Sequence, residues 1–343
     1  MILITGGAGY IGSYVAHQLH AQNEPIIIVD NFSTGSRLAL GDLLYVQGDV
    51  GDADLITTIL QKYQVDTVMH FAASTIVPES IKQPLKYYAN NTFATQTLVA
   101  ACLAHGVKNF IFSSTAAVYG IPNNNGVLDE KVNCMPINPY GASKWMAERI
   151  IQDAAQARDL NYIILRYFNV AGAAPDVSLG PYQTESTLLM RMALQTALGR
   201  YAQLPIYGTD YPTSDGSCVR DYIHVADIAD AHIAALHYLR AGNASEIFNC
   251  GYGHGYSVHQ VVTAVEQVVG KPLNTQLTAR RVGDPAEVVA NAHKIRQYLA
   301  WQPRYDNLKL IVQHAWQWEQ KLFEENKDVL YRQSLYQRQS SSD

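Results

Sequence analysis

Ile2-Leu3-Ile4-Thr5-Gly6-Gly7-Ala8-Gly9-Tyr10-Ile11-Gly12 opens the chain, and the fold turns on how this stretch is read. Ile2 to Thr5 is an apolar run of strand length, the glycines follow at once, and Val15, Ala16 and Leu19 then recur at helical spacing. Strand, glycine turn and helix in that order make a phosphate-binding unit. Gly6, Gly9 and Gly12 let the backbone turn tightly, approach a pyrophosphate and pack the helix on the strand, while the helix N-terminus attracts the phosphate charge. Alone, the stretch could equally be a glycine-rich turn without a ligand. The elements that follow weigh against that.

Ile26 to Val29 is a second buried strand, and Asp30 stands at its end, 18 residues after Gly12. A carboxylate there accepts both ribose hydroxyls of an adenosine and repels a 2'-phosphate, so NAD is favoured over NADP; Arg37 is the one nearby charge that argues the other way. Leu44 to Gln47 reads as a third strand, with Asp49 and Val50 at its mouth suited to an adenine amino group. A helix over about Asp52 to Gln64 and a strand over Thr67 to Ala72 follow, and the small residues of Phe71-Ala72-Ala73 leave room for a dinucleotide. The alternation continues through a helix at Asn91 to His105 and strands at Phe110 to Ser113 and Ile163 to Arg166. This is the rhythm of a doubly wound parallel sheet, with ligands at the carboxyl ends of the strands.

Tyr140-Gly141-Ala142-Ser143-Lys144 places a phenol and an ammonium at i and i+4 on one helix face, where the positive charge favours the phenolate. The same spacing recurs at Tyr305 and Lys309, so the pattern needs its context. Ser113-Ser114-Thr115 supplies it, lying at a strand end where a hydroxyl can bind a substrate oxygen and share its proton with Tyr140. The plainer reading, a Ser/Thr-rich strand exit satisfying backbone groups, stays open at this point.

After Asn169 the texture changes, with Gly172, Pro175, Gly180 and Pro181 interrupting the alternation. The expected organisation is a cofactor domain over 1–169, a smaller α/β region over 170–330 and a disordered polar tail over 331–343. Helices are expected at Leu188 to Leu198, Val225 to Leu239, Val258 to Val269, His293 to Ala300 and Leu308 to Phe323, and strands at Pro205 to Tyr207, Cys218 to His224 and Ile247 to Asn249. Arg220, Arg280 and Arg281 fall near loops, where Arg suits phosphate or simply solvent. A net charge of -5 without a basic run argues against nucleic acid as a partner. Four separated cysteines and the lack of a His-Glu-x-x-His pattern argue against metal and for a reducing compartment. No apolar run reaches the ~18 residues of a membrane span, and the expected location is the cytoplasm.

Together, Thr5 to Gly12, Val29 to Asn31, His70-Phe71-Ala72, Ser113 to Thr115 with Val118-Tyr119-Gly120, Tyr140 to Lys144, Leu165 to Gly172 and Val219 to His224 resemble the extended short-chain dehydrogenase/reductase family. The resemblance runs from Met1 to about Leu322 and, within the family, is closest to the nucleotide-sugar 4-epimerases; the stretches Leu165 to Gly172 and Arg220 to His224 carry that narrower likeness. Ala116-Ala117 stand where dehydratases of the family carry Asp-Glu. The resemblance implies a Rossmann fold and NAD-dependent interconversion of UDP-glucose and UDP-galactose through a 4-keto sugar. It implies that Tyr140 takes the proton of the sugar 4-hydroxyl, that Lys144 binds the nicotinamide ribose and lowers the Tyr140 pKa, and that Thr115 holds the 4-oxygen. Cofactor contacts are implied for Gly6, Gly9, Tyr10, Ile11, Gly12, Asp30, Asn31, Asp49, Val50, Phe71, Ala72, Asn90, Ser113, Tyr140, Lys144 and Phe168. Contacts to the UDP-sugar are implied for Thr115, Tyr140, Asn169, Leu189, Arg220, Arg281, Asp284 and Val288.

Two site positions depart from the family pattern: Thr75 stands where a Lys is common, and Leu188-Leu189-Met190-Arg191 replaces the usual uridine-site segment. Val288 either leaves room beside the sugar 2-substituent, admitting UDP-GlcNAc and UDP-GalNAc, or is a core strand residue if the segment is shifted. The resemblance further suggests a homodimer through the helices at Asn91 to His105 and Tyr140 to Arg158, using Leu98, Val99, Met146 and Ile150 unless these face the sheet. A related nucleotide-sugar oxidoreductase, and a noncatalytic NAD-sensing module, are the competing functions.

Overall fold

The computed structural model describes residues 1–122, 126–183, 186–281 and 283–340, with backbone alone over 326–340. In chain order the first half is β1 (Ile2–Thr5), α1 (Tyr10–Ala21), β2 (Ile26–Asp30), β3 (Tyr45–Gln47), α2 (Ala53–Lys62), β4 (Thr67–His70), α3 (Val77–Lys82), α4 (Pro84–Tyr87), a π turn (Tyr88–Phe93), α5 (Ala94–Ala104), β5 (Asn109–Thr115), β6 (Val127–Leu128), α6 (Pro139–Ala157) and β7 (Asn161–Tyr167). The second half is β8 (Asn169–Ala171), α7 (Leu189–Ala197), β9 (Leu204–Tyr207), β10 (Val219–Arg220), β11 (Tyr222–His224), α8 (Val225–Arg240), β12 (Glu246–Cys250), β13 (Tyr256–Ser257), α9 (Val258–Val269), β14 (Thr275–Thr278), β15 (Glu287–Ala290), α10 (His293–Leu299) and α11 (Leu308–Ser340).

Seven strands form one parallel sheet in the order β12-β7-β5-β4-β1-β2-β3. Strand order reverses between β1 and β4, the switch point where a doubly wound sheet opens a crevice. The central strands are apolar on both faces because helices cover both: Ile2, Leu3 and Ile4 have no exposure, each contributing about 1.5–3 kcal/mol by burial. The expected fold class is thus present, and most strand positions fall within a residue or two of expectation.

The division at residue 169 is corrected by topology. β12, expected in the smaller region, pairs with β7 at the edge of the large sheet, and α8 packs against α1. The chain therefore leaves the cofactor region at β8, returns for α8 and β12, and leaves again. The strand expected at Cys218 to His224 is broken into β10 and β11. Asp221 is the cause: its buried carboxylate turns inward to accept from the backbone N–H groups of Tyr252, Gly253 and Ala290. The tail is also corrected, since α11 runs on to Ser340. Its later residues include neither Pro nor Gly, so the helix propagates at little cost; residues 341–343 lie outside the described chain. Leu98 and Val99 are buried in the core beneath the sheet rather than on an outer face, while Met146 is exposed.

Candidate active site

One cleft of about 1080 Å³ crosses the carboxyl ends of the sheet, and every cofactor and substrate residue expected from the sequence lines it. At its floor, Gly6 has φ +70, and a Cβ there would lie 2.4 Å from the backbone N of Ala72. The β1 and β4 exits therefore approach as only glycine allows. A Cβ at Gly9 would meet nothing closer than the Gly6 carbonyl at 3.2 Å, and no side chain caps the N-terminus of α1 that Gly9 begins. Free first-turn amides beside an open surface suit a pyrophosphate.

Asp30 closes the adenosine end. Its carboxylate accepts from Ala8 N at 2.9 Å and Phe32 N at 2.8 Å, which fixes its orientation; burial raises its pKa. Asn31 donates to Asp49 at 2.9 Å. Arg37 is turned aside, donating to Gln47 at 2.6 Å and lying over the Phe32 ring. The charge that argued for NADP is thereby engaged elsewhere, and the residues present fit NAD.

The wall opposite is β5 and α6. Alternation along β5 sends Ser113 and Thr115 toward the cleft and buries Ser114 on the other face. Asn138 caps α6 by accepting from Gly141 N at 2.8 Å, with Pro139 in the first turn. A Cβ on Gly141 would lie 2.4 Å from the Ala117 carbonyl, so that glycine is what lets α6 come down onto the β5 exit. Thr115 then hydrogen-bonds Tyr140. The plainer reading of the Ser/Thr exit holds in part, since Thr115 also caps Ala117 N at 3.1 Å.

The expected lowering of the Tyr140 pKa by Lys144 is not what the structure gives. Burial raises the Tyr140 pKa, and the opposing influence is the Thr115 hydrogen bond. Lys144 is itself desolvated, brought down to about 7 against the pull of Glu148, with its ammonium 4.2 Å from the centre of the Phe112 ring. Burial is invisible to residue spacing, which is why the sequence misjudged the sign. Below Lys144, Glu148 holds Arg166 through two nitrogens at 3.0 and 2.6 Å, and Ser114 donates to the same carboxylate. Arg166 continues to Tyr119 at 2.9 Å, and Tyr119 to Asn249 at 2.6 Å. The sequence reading missed this network although Tyr140, Lys144 and Glu148 share one face at successive i+4 steps.

The far end comes from the smaller region. Arg220 donates to Asp284 and, at 2.9 Å, to the Pro285 carbonyl. Arg281 lies 3.9 Å over the Tyr207 ring, whereas Arg280 points away to Asp210 and Tyr211. Tyr207 and Tyr222 also line the cleft and were not anticipated; Tyr207, at the end of an expected strand, was findable. Val288 is both things the sequence allowed, a β15 residue opposite Arg220 and part of the cleft wall. Thr75 and Leu188 border the cleft too.

Comparisons with known proteins agree with this geometry. The NAD dependent epimerase/dehydratase family matches residues 2–251. The chain is 48% identical over 322 residues to a UDP-glucose 4-epimerase of Azospirillum brasilense, covering 94% of this chain and 92% of that one. The crystal structure of the Brucella ovis UDP-glucose 4-epimerase in complex with NAD superposes with TM-score 0.89 at 39% identity, over 92% of this chain and 97% of that one. The UDP-Glc/GlcNAc 4-epimerase from Campylobacter jejuni gives TM-score 0.83 at 46% identity, over 93% and 99%.

Proposed function

The chain belongs to the NAD dependent epimerase/dehydratase family, and on that premise we propose that its cleft interconverts UDP-glucose and UDP-galactose. The observation that carries the proposal is the continuity of one cleft from the glycine turn and Asp30, past Thr115, Tyr140 and Lys144, to Arg220, Arg281 and Asp284. Tyr140 takes the proton from the sugar 4-hydroxyl, and Thr115, hydrogen-bonded to that phenol, keeps the 4-oxygen in reach. NAD supplies the hydride acceptor for C4 and the positive charge that a buried phenol needs before it yields its proton. Lys144 holds the nicotinamide ribose. Asn169 and the two arginines grip the diphosphate, so the 4-keto sugar can turn its other face without leaving. Reversal then returns hydride and proton to C4 and its oxygen, and no electrons are gained or lost overall.

The cofactor region is 1–169 joined by α8 and β12, and the rest of 170–330 takes the UDP-sugar. Val288 leaves space beside the sugar 2-position, so UDP-GlcNAc and UDP-GalNAc are substrates as well; the Campylobacter jejuni relative's GlcNAc activity supports this. Val288→Tyr should remove turnover of the N-acetyl sugars and largely spare UDP-glucose. The protein works as a homodimer, through a face carrying Phe93 at 61% and Met146 at 40% exposure. None of its described helices is long and apolar enough to cross a membrane, and four free cysteines support a cytoplasmic location. The test is to incubate purified protein with UDP-galactose and no added cofactor. UDP-glucose is the expected product; release of NADH with net oxidation of the sugar would favour the oxidoreductase reading.

A further inference from the structure

Behind the cleft wall lies a titratable group that the chemistry above does not use. His232 on α8 is fully buried, with its ring 4.7 Å from that of Phe71 and its Nε2 2.5 Å from the Tyr167 hydroxyl. The direction of each hydrogen bond follows from the partners. Nδ1 is 2.9 Å from the Ile228 carbonyl, and a carbonyl only accepts, so Nδ1 carries the hydrogen. Burial keeps the ring neutral, its pKa down at about 4. Nε2 therefore offers a lone pair and Tyr167 donates to it. The phenol oxygen is left to accept, and its partner is the Ser113 hydroxyl. Ser113 has one hydrogen, which this arrangement commits to Tyr167. Toward the cleft that it lines, Ser113 shows lone pairs alone.

Resting on the reading of this cleft as an NAD site, we propose that His232 is a positioning residue for the cofactor. By making Ser113 an obligate acceptor, it selects the amino end of the nicotinamide carboxamide and turns the carbonyl end away. An amide presents a donor and an acceptor of nearly equal shape, so packing by Phe71 cannot tell them apart. A hydrogen-bond wire of fixed polarity can. The polarity originates in the Ile228 carbonyl and reaches the cleft through three side chains.

The probe is 3-acetylpyridine adenine dinucleotide, in which a methyl group replaces the amide nitrogen, so the donor is lost and the shape kept. Full-length protein freed of nucleotide is titrated with it and with NAD. Wild type should prefer NAD by about tenfold, the worth of one neutral hydrogen bond with a buried acceptor. In His232→Phe the phenol loses its acceptor and turns to Ser113, whose hydroxyl can then donate into the cleft; the preference should fall toward one. Tyr167→Phe frees the same hydroxyl and should do likewise, so a His232→Phe chain that fails to fold still leaves a test. His232→Gln keeps an acceptor and should keep the preference. A purely structural histidine would weaken both nucleotides in parallel, and an unchanged preference in a folded His232→Phe or Tyr167→Phe overturns the proposal. Wild type that binds neither nucleotide would contradict the cofactor reading itself.

Discussion

At the β5 and α6 wall the charges are buried and mutually held, whereas at the nucleotide end they reach into solvent. Lys144, Glu148 and Arg166 have 3%, 0% and 4% exposure, while the Arg220 and Asp284 side chains have 13% and 26% and Arg281 is exposed. The first arrangement fixes Tyr140 against Thr115 to a fraction of an ångström. The second places its arginines on a two-residue strand and a loop, in contacts that a diphosphate can replace. The difference matches the two demands of an epimerase: proton and hydride transfer need one geometry, while the sugar must be released and turned between transfers.

The comparison breaks most completely at Tyr140. Tyr140→Phe should lower turnover about 10²–10⁴-fold with fold and NAD retained, read by product formation and bound nucleotide; near-normal turnover would remove Tyr140 from the chemistry. Glu148→Ala should cost about 3–5 kcal/mol of stability, because it strands the buried Arg166 guanidinium without its partner. Chemical denaturation measures this, and an effect within that of a surface substitution would show that the wall does not depend on the network.

Lys144 sharpens the same contrast with the opposite sign. Its folded pKa, about 7, lies below the ordinary lysine value of ~10.4. Between those values the unfolded chain binds the proton that the folded chain does not, so this group makes stability rise with pH across pH 7 to ~10.4 and costs most at and below 7. Lys144→Met should therefore stabilise the nucleotide-free protein at pH 7 by about 1–3 kcal/mol, with the gain fading toward pH 10, and at the same time abolish most activity. A melting-temperature series over pH checks it. Arg281→Ala, at the loosely held end, should have the smallest effect. A charge-assisted contact of about 1–2 kcal/mol corresponds to a KM raised about tenfold with kcat little changed, and a loss confined to kcat would place Arg281 with the chemistry instead.

The rigid end was also the legible one. Ile2 to Thr5, Ile26 to Asp30 and Thr67 to His70 are uninterrupted apolar or small runs because helices bury both of their faces, and such runs announce themselves. Tyr140 and Lys144 are legible because helix geometry alone puts them on one face. What stayed hidden depends on distant partners. Nothing local in Glu246 to Cys250 says that it joins β7, and Asp221 breaks a strand to serve amides 31 to 69 residues away. β14 (Thr275–Thr278) is mostly exposed and lacks an apolar signature altogether. The Tyr140 pKa went the wrong way for the same reason, since desolvation is set by the whole fold and not by the residue four positions on.

The central claim is that hydride leaves C4 of the sugar and returns to C4 of the same sugar inside this cleft. UDP-galactose deuterated at C4, incubated with the purified protein in ordinary water without added NAD, tests it directly. The account predicts UDP-glucose that keeps its deuterium at C4, with none lost to solvent during turnover. UDP-glucose carrying solvent hydrogen at C4 would contradict it, because epimerisation would then proceed by proton exchange and not by oxidation and return.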